Sequence, residues 1–185
     1  MTNSKSVLLP KTDYTSHYND PAKLDAETLS KTHNLLDLRK YNEEGRVPFV
    51  LHDGPPYANG YVHMGHAVNK VLKDFVSRSQ FMQGKASLFR PGWDCHGLPI
   101  EWKVQEHYAE RGLRVKDVPV LEFRQACREY ALGWQEKQAN GMKSLGVMAD
   151  WENPYLTLQP KAYQGTLSCL YELVKKGLVY SSERP

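Results

Sequence analysis

Two histidines, His63 and His66, stand three residues apart with Met64 and Gly65 between them, at the end of a loop. That loop reads His52-Asp53-Gly54-Pro55-Pro56-Tyr57-Ala58-Asn59-Gly60-Tyr61-Val62. Before it lies a short apolar run, Val47-Pro48-Phe49-Val50-Leu51, and after it an amphipathic stretch. A strand that ends, a Gly/Pro turn and a helix that starts near His63 together make an anion site. The first turn of a helix carries unpaired N–H groups and the positive end of the helix dipole. Two imidazoles placed there can both donate hydrogen bonds to phosphate oxygens. Gly65 has no side chain, so a nucleotide can approach the backbone closely. A bare His-x-Gly-His also fits a tight turn with two surface histidines. The Pro-Pro-Tyr-Ala-Asn-Gly before it favours the phosphate reading.

A second loop repeats the pattern: Pro91-Gly92-Trp93-Asp94-Cys95-His96-Gly97-Leu98-Pro99-Ile100-Glu101. In an open parallel sheet, ligands sit beyond the carboxyl ends of the strands, so both loops should open onto one crevice. Asp94 can hold a cation such as an ammonium group. It can equally cap a turn, a common role for Asp in Gly/Pro-rich loops. Cys95 and His96 are adjacent, which is poor spacing for a zinc set with His63 and His66, so no metal is assigned.

The elements that must position these loops follow from periodicity and length. Residues 1–22 read as an extended arm, and residues 23–44 as a weakly helical stretch with Leu24, Leu29, Leu35, Leu36 and Leu38 as its apolar positions. Val47–Leu51 reads as a buried strand. Ala67, Val68, Val71, Leu72, Phe75 and Val76 form a helical stripe, with Lys70, Lys73, Asp74 and Arg78 expected to face away. Lys85–Phe89 reads as a second strand and Pro99–Arg111 as a helix. From Val120 another helix keeps Phe123, Cys127, Tyr130, Trp134, Met142 and Leu145 on one face. Trp151–Leu158 reads as irregular. A last helix starts near Lys161, carries Tyr163, Leu167, Leu170, Tyr171, Val174 and Leu178 on one stripe, and stops at Gly177. Both late stripes, with their cysteines, are expected in the core. Strand, loop and helix, twice over, predict an α/β fold with a parallel sheet and crossover helices.

Composition narrows the function classes. In 185 residues, 41% are hydrophobic and 24% charged, with a net charge of +3. These values exclude a wholly disordered or collagen-like chain, and so small a surplus does not by itself argue for nucleic acid. No apolar stretch approaches a membrane span of about 20 residues. Met1 to Pro10 does not read as a signal peptide, and the expected location is the cytoplasm. Cys95, Cys127 and Cys169 are widely spaced and odd in number, so they read as free thiols. No Gly-x-Gly-x-x-Gly follows the first strand, which argues against a dinucleotide oxidoreductase.

The span from His52 to His66, its helix, and the span from Pro91 to Glu101 together resemble the start of a class I aminoacyl-tRNA synthetase. Asp53–Gly60 joined to Gly92–Glu101 is similar to the isoleucyl branch in particular; valyl and leucyl members share the first string loosely and differ in the second. Leu8-Leu9-Pro10-Lys11-Thr12-Asp13 resembles the bacterial N-terminal arm. The similarity continues through Gly146-Val147, Asp150-Trp151 and Asn153-Pro154-Tyr155. Residues 14–40 lack the family's usual charge pattern.

The resemblance implies the first half of a Rossmann-like nucleotide-binding domain at 45–185, with a helical C-terminal portion, after an arm and helix at 1–44. It implies a protein several times longer, this chain being an N-terminal fragment ahead of the editing insertion and the Lys-Met-Ser-Lys-Ser loop. It implies isoleucine, ATP with Mg²⁺, and tRNA(Ile) as ligands, with no zinc in this part, no membrane, and a monomer. In that scheme His63 and His66 act on the triphosphate. Gly54, Pro55, Pro56 and Tyr57 line the adenylate and amino-acid pocket, Asn59 and Gly65 shape the phosphate loop, and Asp94 takes the substrate ammonium. A non-catalytic nucleotide-binding module and a valyl- or leucyl-type synthetase fragment remain as alternatives; the string Gly92–Glu101 argues against a small nucleotidyltransferase that uses His-x-Gly-His alone.

Overall fold

The computed structural model describes residues 20–33, 45–87 and 89–183. The arm at Leu8–Asp13 and the apolar positions Leu35, Leu36 and Leu38 lie outside them. The chain divides into two units, Met1–Leu36 and Asp37–Pro185. In the first, helix α1 spans Pro21–His33. Asp20 starts it, its carboxylate accepting from the Lys23 N–H at 3.1 Å, with Pro21 at a position that needs no N–H.

The second unit runs β1 (Pro48–Phe49), α2 (Met64–Met82), β2 (Ala86–Ser87), β3 (Gly92–Trp93), α3 (Leu98–Glu110), a short 3-10 turn, α4 (Val120–Ser144), β4 (Tyr155–Leu156) and α5 (Pro160–Lys175). Among the described residues all strand pairing is parallel, as the alternation of elements predicts. Pro48 pairs with Ala86 and Phe49 with Ser87. Gly92 pairs with Tyr155 and Trp93 with Leu156. Helix α2 makes the first crossover, and α3 with α4 make the second. The core lies under the second pair. Trp93, Cys95, Ile100, Ala131, Met142 and Leu156 form one buried cluster, with Tyr130 and Trp134 packed against it.

Four expectations need correction. The first strand is not buried: Val47 and Val50 are 68% and 76% exposed. Only two residues pair, on one edge, and Pro48 has no N–H to offer a further neighbour. The face of α2 is inverted. Lys70, Asp74 and Ser77 are buried, while Val68, Leu72, Phe75 and Val76 are exposed. Periodicity locates a stripe but not its direction, and here the inward charges are paired. Arg78 Nε donates to Asp74 Oδ2 at 2.5 Å and Arg78 Nη2 to the Gly146 carbonyl at 2.6 Å. The Met148 N–H donates to Asp74 Oδ1 at 2.9 Å.

The stripe of α5 is also exposed along Tyr163, Leu167, Leu170, Tyr171 and Val174, as is Leu178 beyond it. Ala162 alone in that helix is half-buried, because α5 meets the body through its first turn. Cys169 is exposed there, and Leu145, at the end of α4, is exposed as well. Gly177 does end the helix region, at φ 69°. Finally, Trp151–Leu158 is not wholly irregular. The Tyr155 and Thr157 N–H groups donate to the Pro91 and Trp93 carbonyls at 2.8 and 3.2 Å, making β4.

Candidate functional site

The two loops meet. Tyr57 and Asp94 form an isolated parallel bridge: the Ala58 N–H donates to the Asp94 carbonyl and the Asp94 N–H to the Pro56 carbonyl, both at 2.8 Å. The two loops are therefore joined side by side by a two-bond splice.

At the first loop, His63 is the N-cap of α2, in extended backbone (φ −114°, ψ 173°). Its Nδ1 accepts from the Gly65 N–H at 3.1 Å. In return His66 Nδ1 accepts weakly from the His63 N–H at 3.5 Å. The rings stack with centroids 3.9 Å apart. This is a capping box built from two imidazoles. A neutral ring whose Nδ1 accepts carries its proton on Nε2. Neither Nε2 has a protein partner among the described residues, so two N–H donors stay available at a helix N-terminus whose first turn holds no acidic residue. Burial, with His63 and Lys70 nearby, lowers the pKa of His66, which favours the neutral ring. A Cβ on Gly65 would lie 2.9 Å from His63 Cε1. A side chain there would push the His63 ring out of its capping position.

The rest of the loop is clamped. The Asn59 Oδ1 accepts from the Tyr130 hydroxyl at 2.8 Å, and its Nδ2 donates to the Pro99 carbonyl at 3.3 Å. The Asn59 side chain therefore shapes the loop rather than projecting from it. Gly54 and Pro55 are exposed and Pro56 is half-buried. Tyr57 is exposed too, its carbonyl held by Gln138 Nε2 at 3.1 Å. Asp53, just before Gly54, accepts from both Lys70 and Lys73. Lys70 is 2% exposed. Burial lowers its pKa and the Asp53 carboxylate opposes that shift.

At the second loop, Asp94 is half-buried. Its Oδ1 accepts from the His96 N–H at 3.3 Å and from the Thr157 hydroxyl at 3.4 Å. The turn-capping role is real and uses one oxygen. Oδ2 has no protein partner among the described residues, so the cation-holding role remains open to it. Gly92 admits no side chain easily: a Cβ would lie 3.3 Å from Tyr155 Cδ1 and 3.4 Å from the Tyr155 carbonyl. His96 Nε2 hydrogen-bonds the Tyr163 hydroxyl at 2.8 Å. Cys95 is a core residue, and that burial raises its thiol pKa. A cavity of about 690 Å³ opens between α5 and β4, near Arg90 and Tyr155; none of the histidine-loop residues lines it. No group of three or more His, Cys, Asp or Glu among the described residues could hold a metal ion.

Sequence reasoning missed the Lys70–Asp53–Lys73 cluster, Thr157, Tyr130 and Gln138. Only Gln138 left a signal: an uncharged polar residue in register with Ala131 and Met142 on the inward face of α4.

The model for tRNA synthetases class I (I, L, M and V) matches residues 29–185. An isoleucine–tRNA ligase from Agrobacterium fabrum is 44% identical over 184 residues, 98% of this chain and 19% of that protein. One from Aquifex aeolicus is 42% identical over 177 residues, 96% of this chain and 18% of that protein. The chain spans about a fifth of the length of the relatives it matches. Among solved structures, the LeuRS of Agrobacterium radiobacter, in a ternary complex with tRNA and LeuAMS, matches 84% of this chain with a TM-score of 0.60. At 24% identity that likeness shows the fold alone, a Rossmann-like α/β arrangement. With most of its length matched by the family model, the chain belongs to the class I tRNA synthetases.

Proposed function

We propose that residues 45–185 form the first half of the catalytic domain of an isoleucine–tRNA ligase, ahead of the editing insertion, with 1–44 an arm and helix. The reaction is activation of isoleucine. Its carboxylate attacks the α-phosphorus of ATP, forming the adenylate and releasing pyrophosphate, and the aminoacyl group then passes to tRNA(Ile). No protein nucleophile is required; catalysis is positioning and stabilisation of charge on the phosphates. His63 and His66 donate from Nε2 to triphosphate oxygens. Gly54, Pro55, Pro56 and Tyr57 line the adenylate and amino-acid pocket, with Asn59 and Gly65 fixing the loop's shape. Asp94 Oδ2 receives the isoleucine ammonium. Mg²⁺ arrives with ATP, and its ligands in this reading are phosphate oxygens and water. The setting is cytoplasmic and the protein a monomer; no described helix is long and apolar enough to cross a membrane.

One observation carries this reading: two imidazole Nε2 atoms and one carboxylate oxygen, without protein partners among the described residues, lie on loops spliced at Tyr57 and Asp94. The test is calorimetric titration of the chain with ATP and with a non-hydrolysable isoleucyl-adenylate analogue. Both should bind, the analogue more tightly, and ATP should compete with it. Absence of binding, or binding without competition, refutes the reading.

A further inference from the structure

Gln138 is a polar side chain at a core position, 1% exposed. A buried amide is tolerated only when it is hydrogen-bonded, and this one is, on both sides. Its Oε1 accepts from the Trp93 indole N–H at 2.9 Å. Its Nε2 donates to the Gly60 carbonyl at 2.8 Å and the Tyr57 carbonyl at 3.1 Å, and reaches the Asn59 carbonyl at 3.4 Å. Two amide hydrogens serve three carbonyls, so the Asn59 contact is a shared one. One side chain on α4 thus grips the first loop through its backbone and the second through Trp93, the residue before Asp94.

The splice between the loops is narrow. It consists of the Ala58 and Asp94 N–H bonds, and Gln138 fastens the chain on either side of it. A core residue serving packing alone needs no polar atoms there; Leu or Met would fill the volume. The amide is explained by what it holds.

We propose that Gln138 is the positioning residue that fixes the distance between the His63/His66 junction and the Asp94 carboxylate. This rests on the functional reading above. A ligand that touches both loops gains from their fixed spacing, because the second contact becomes intramolecular. A ligand that touches one loop does not. Losing Gln138 therefore weakens the isoleucyl-adenylate analogue, which spans both, far more than ATP, which meets the histidine loop.

Two variants test this. Gln138→Met keeps length and removes both ties; Gln138→Glu keeps the acceptor for Trp93 and removes the donors to the loop. Residue-resolved amide hydrogen exchange is the first readout. In Gln138→Met the Ala58 and Asp94 amides should exchange at least tenfold faster while the α2 amides hold their rates. Gln138→Glu should speed Ala58 exchange in the same way. Calorimetry is the second readout: analogue affinity should fall at least tenfold in Gln138→Met, and ATP affinity less than threefold. Unchanged exchange at Ala58 and Asp94, acceleration throughout the chain, or equal loss for both ligands overturns the positioning role. If the wild-type chain binds neither ligand, the functional reading falls, while exchange still decides what Gln138 holds.

Discussion

Helix α2 begins on an imidazole; α3 begins on a glycine. At the first junction His63 and His66 form a capping box through their Nδ1 atoms and leave both Nε2 atoms without a protein partner among the described residues. At the second, Gly97 takes φ 95°, a region that favours glycine, and α3 starts with no side-chain cap. The side chain left at that turn is Asp94, one oxygen engaged and one open. Both junctions run from a strand through a loop to a helix start. They end with opposite chemistry, donors in one and an acceptor in the other, set a bridge apart. They are also fastened differently. The first is tied down by the buried ion cluster of Lys70, Asp53 and Lys73, the second by the Thr157 hydroxyl and by its strand pairing.

That difference in fastening gives the largest expected effect. Asp53→Ala leaves Lys70 buried and unpaired and should destabilise the chain by about 3–5 kcal/mol in urea denaturation. Lys70→Met should cost less, because Lys73 still pairs with Asp53. Asp94→Asn keeps the bond from the His96 N–H and should cost less than about 1 kcal/mol. Equal costs at the two junctions would break the contrast.

Binding comes next. His63→Ala and His66→Ala should each weaken ATP by about 1.5–3 kcal/mol, roughly ten- to a hundredfold, as expected for a hydrogen bond to a charged oxygen. Calorimetry reads this directly, and circular dichroism should show the chain still folded.

The pH dependence of stability is smaller and has a definite sign. The folded pKa of His66 lies below the ordinary imidazole value of 6.5. The unfolded chain therefore takes up its proton first, and stability falls as pH drops below that value. Protonation also converts Nδ1 from acceptor to donor and breaks the contact with the His63 N–H. His66→Gln should remove this part of the slope in melts between pH 7.5 and about 5.5. An unchanged slope would place the titration elsewhere.

The smallest effect on stability belongs to Gly65→Ala. Its Cβ meets the end of a movable ring, so His63 rotates away and its cap, worth about 1 kcal/mol, is lost. Alanine in a helix regains about as much over glycine. Stability should hold nearly constant while ATP binding falls as far as in His63→Ala. That outcome separates His63 as a phosphate donor from His63 as a cap.

What could be read from the sequence was local. The Gly/Pro loops, the helix start beside His63 and the stop at Gly177 rest on short-range turn and cap chemistry, and the structure holds them. The direction of α2 was not legible, because Lys70 is satisfied by Asp53, seventeen positions away. The stripes of α4 and α5 look alike in sequence, yet only α4 lies across the buried cluster. Strand β4 escaped because Asn153-Pro154 reads as a turn and the pairing residues are only two. At the site, the histidines were legible as donors but their mutual cap was not: it depends on which ring nitrogen faces the backbone. Asp94 carried two readings, and the structure satisfies the bland one with a single oxygen.

The central claim is that phosphate is read at the first junction and ammonium at the second. The most direct measurement is a titration of wild type, the His63→Ala/His66→Ala pair and Asp94→Asn with ATP and the isoleucyl-adenylate analogue. Loss of the histidines should weaken both ligands. Asp94→Asn should weaken the analogue about tenfold or more and leave ATP within about twofold, the loss of a charged hydrogen bond at one end of one ligand. Equal loss of both ligands in Asp94→Asn, or unchanged binding without the histidines, would contradict the claim.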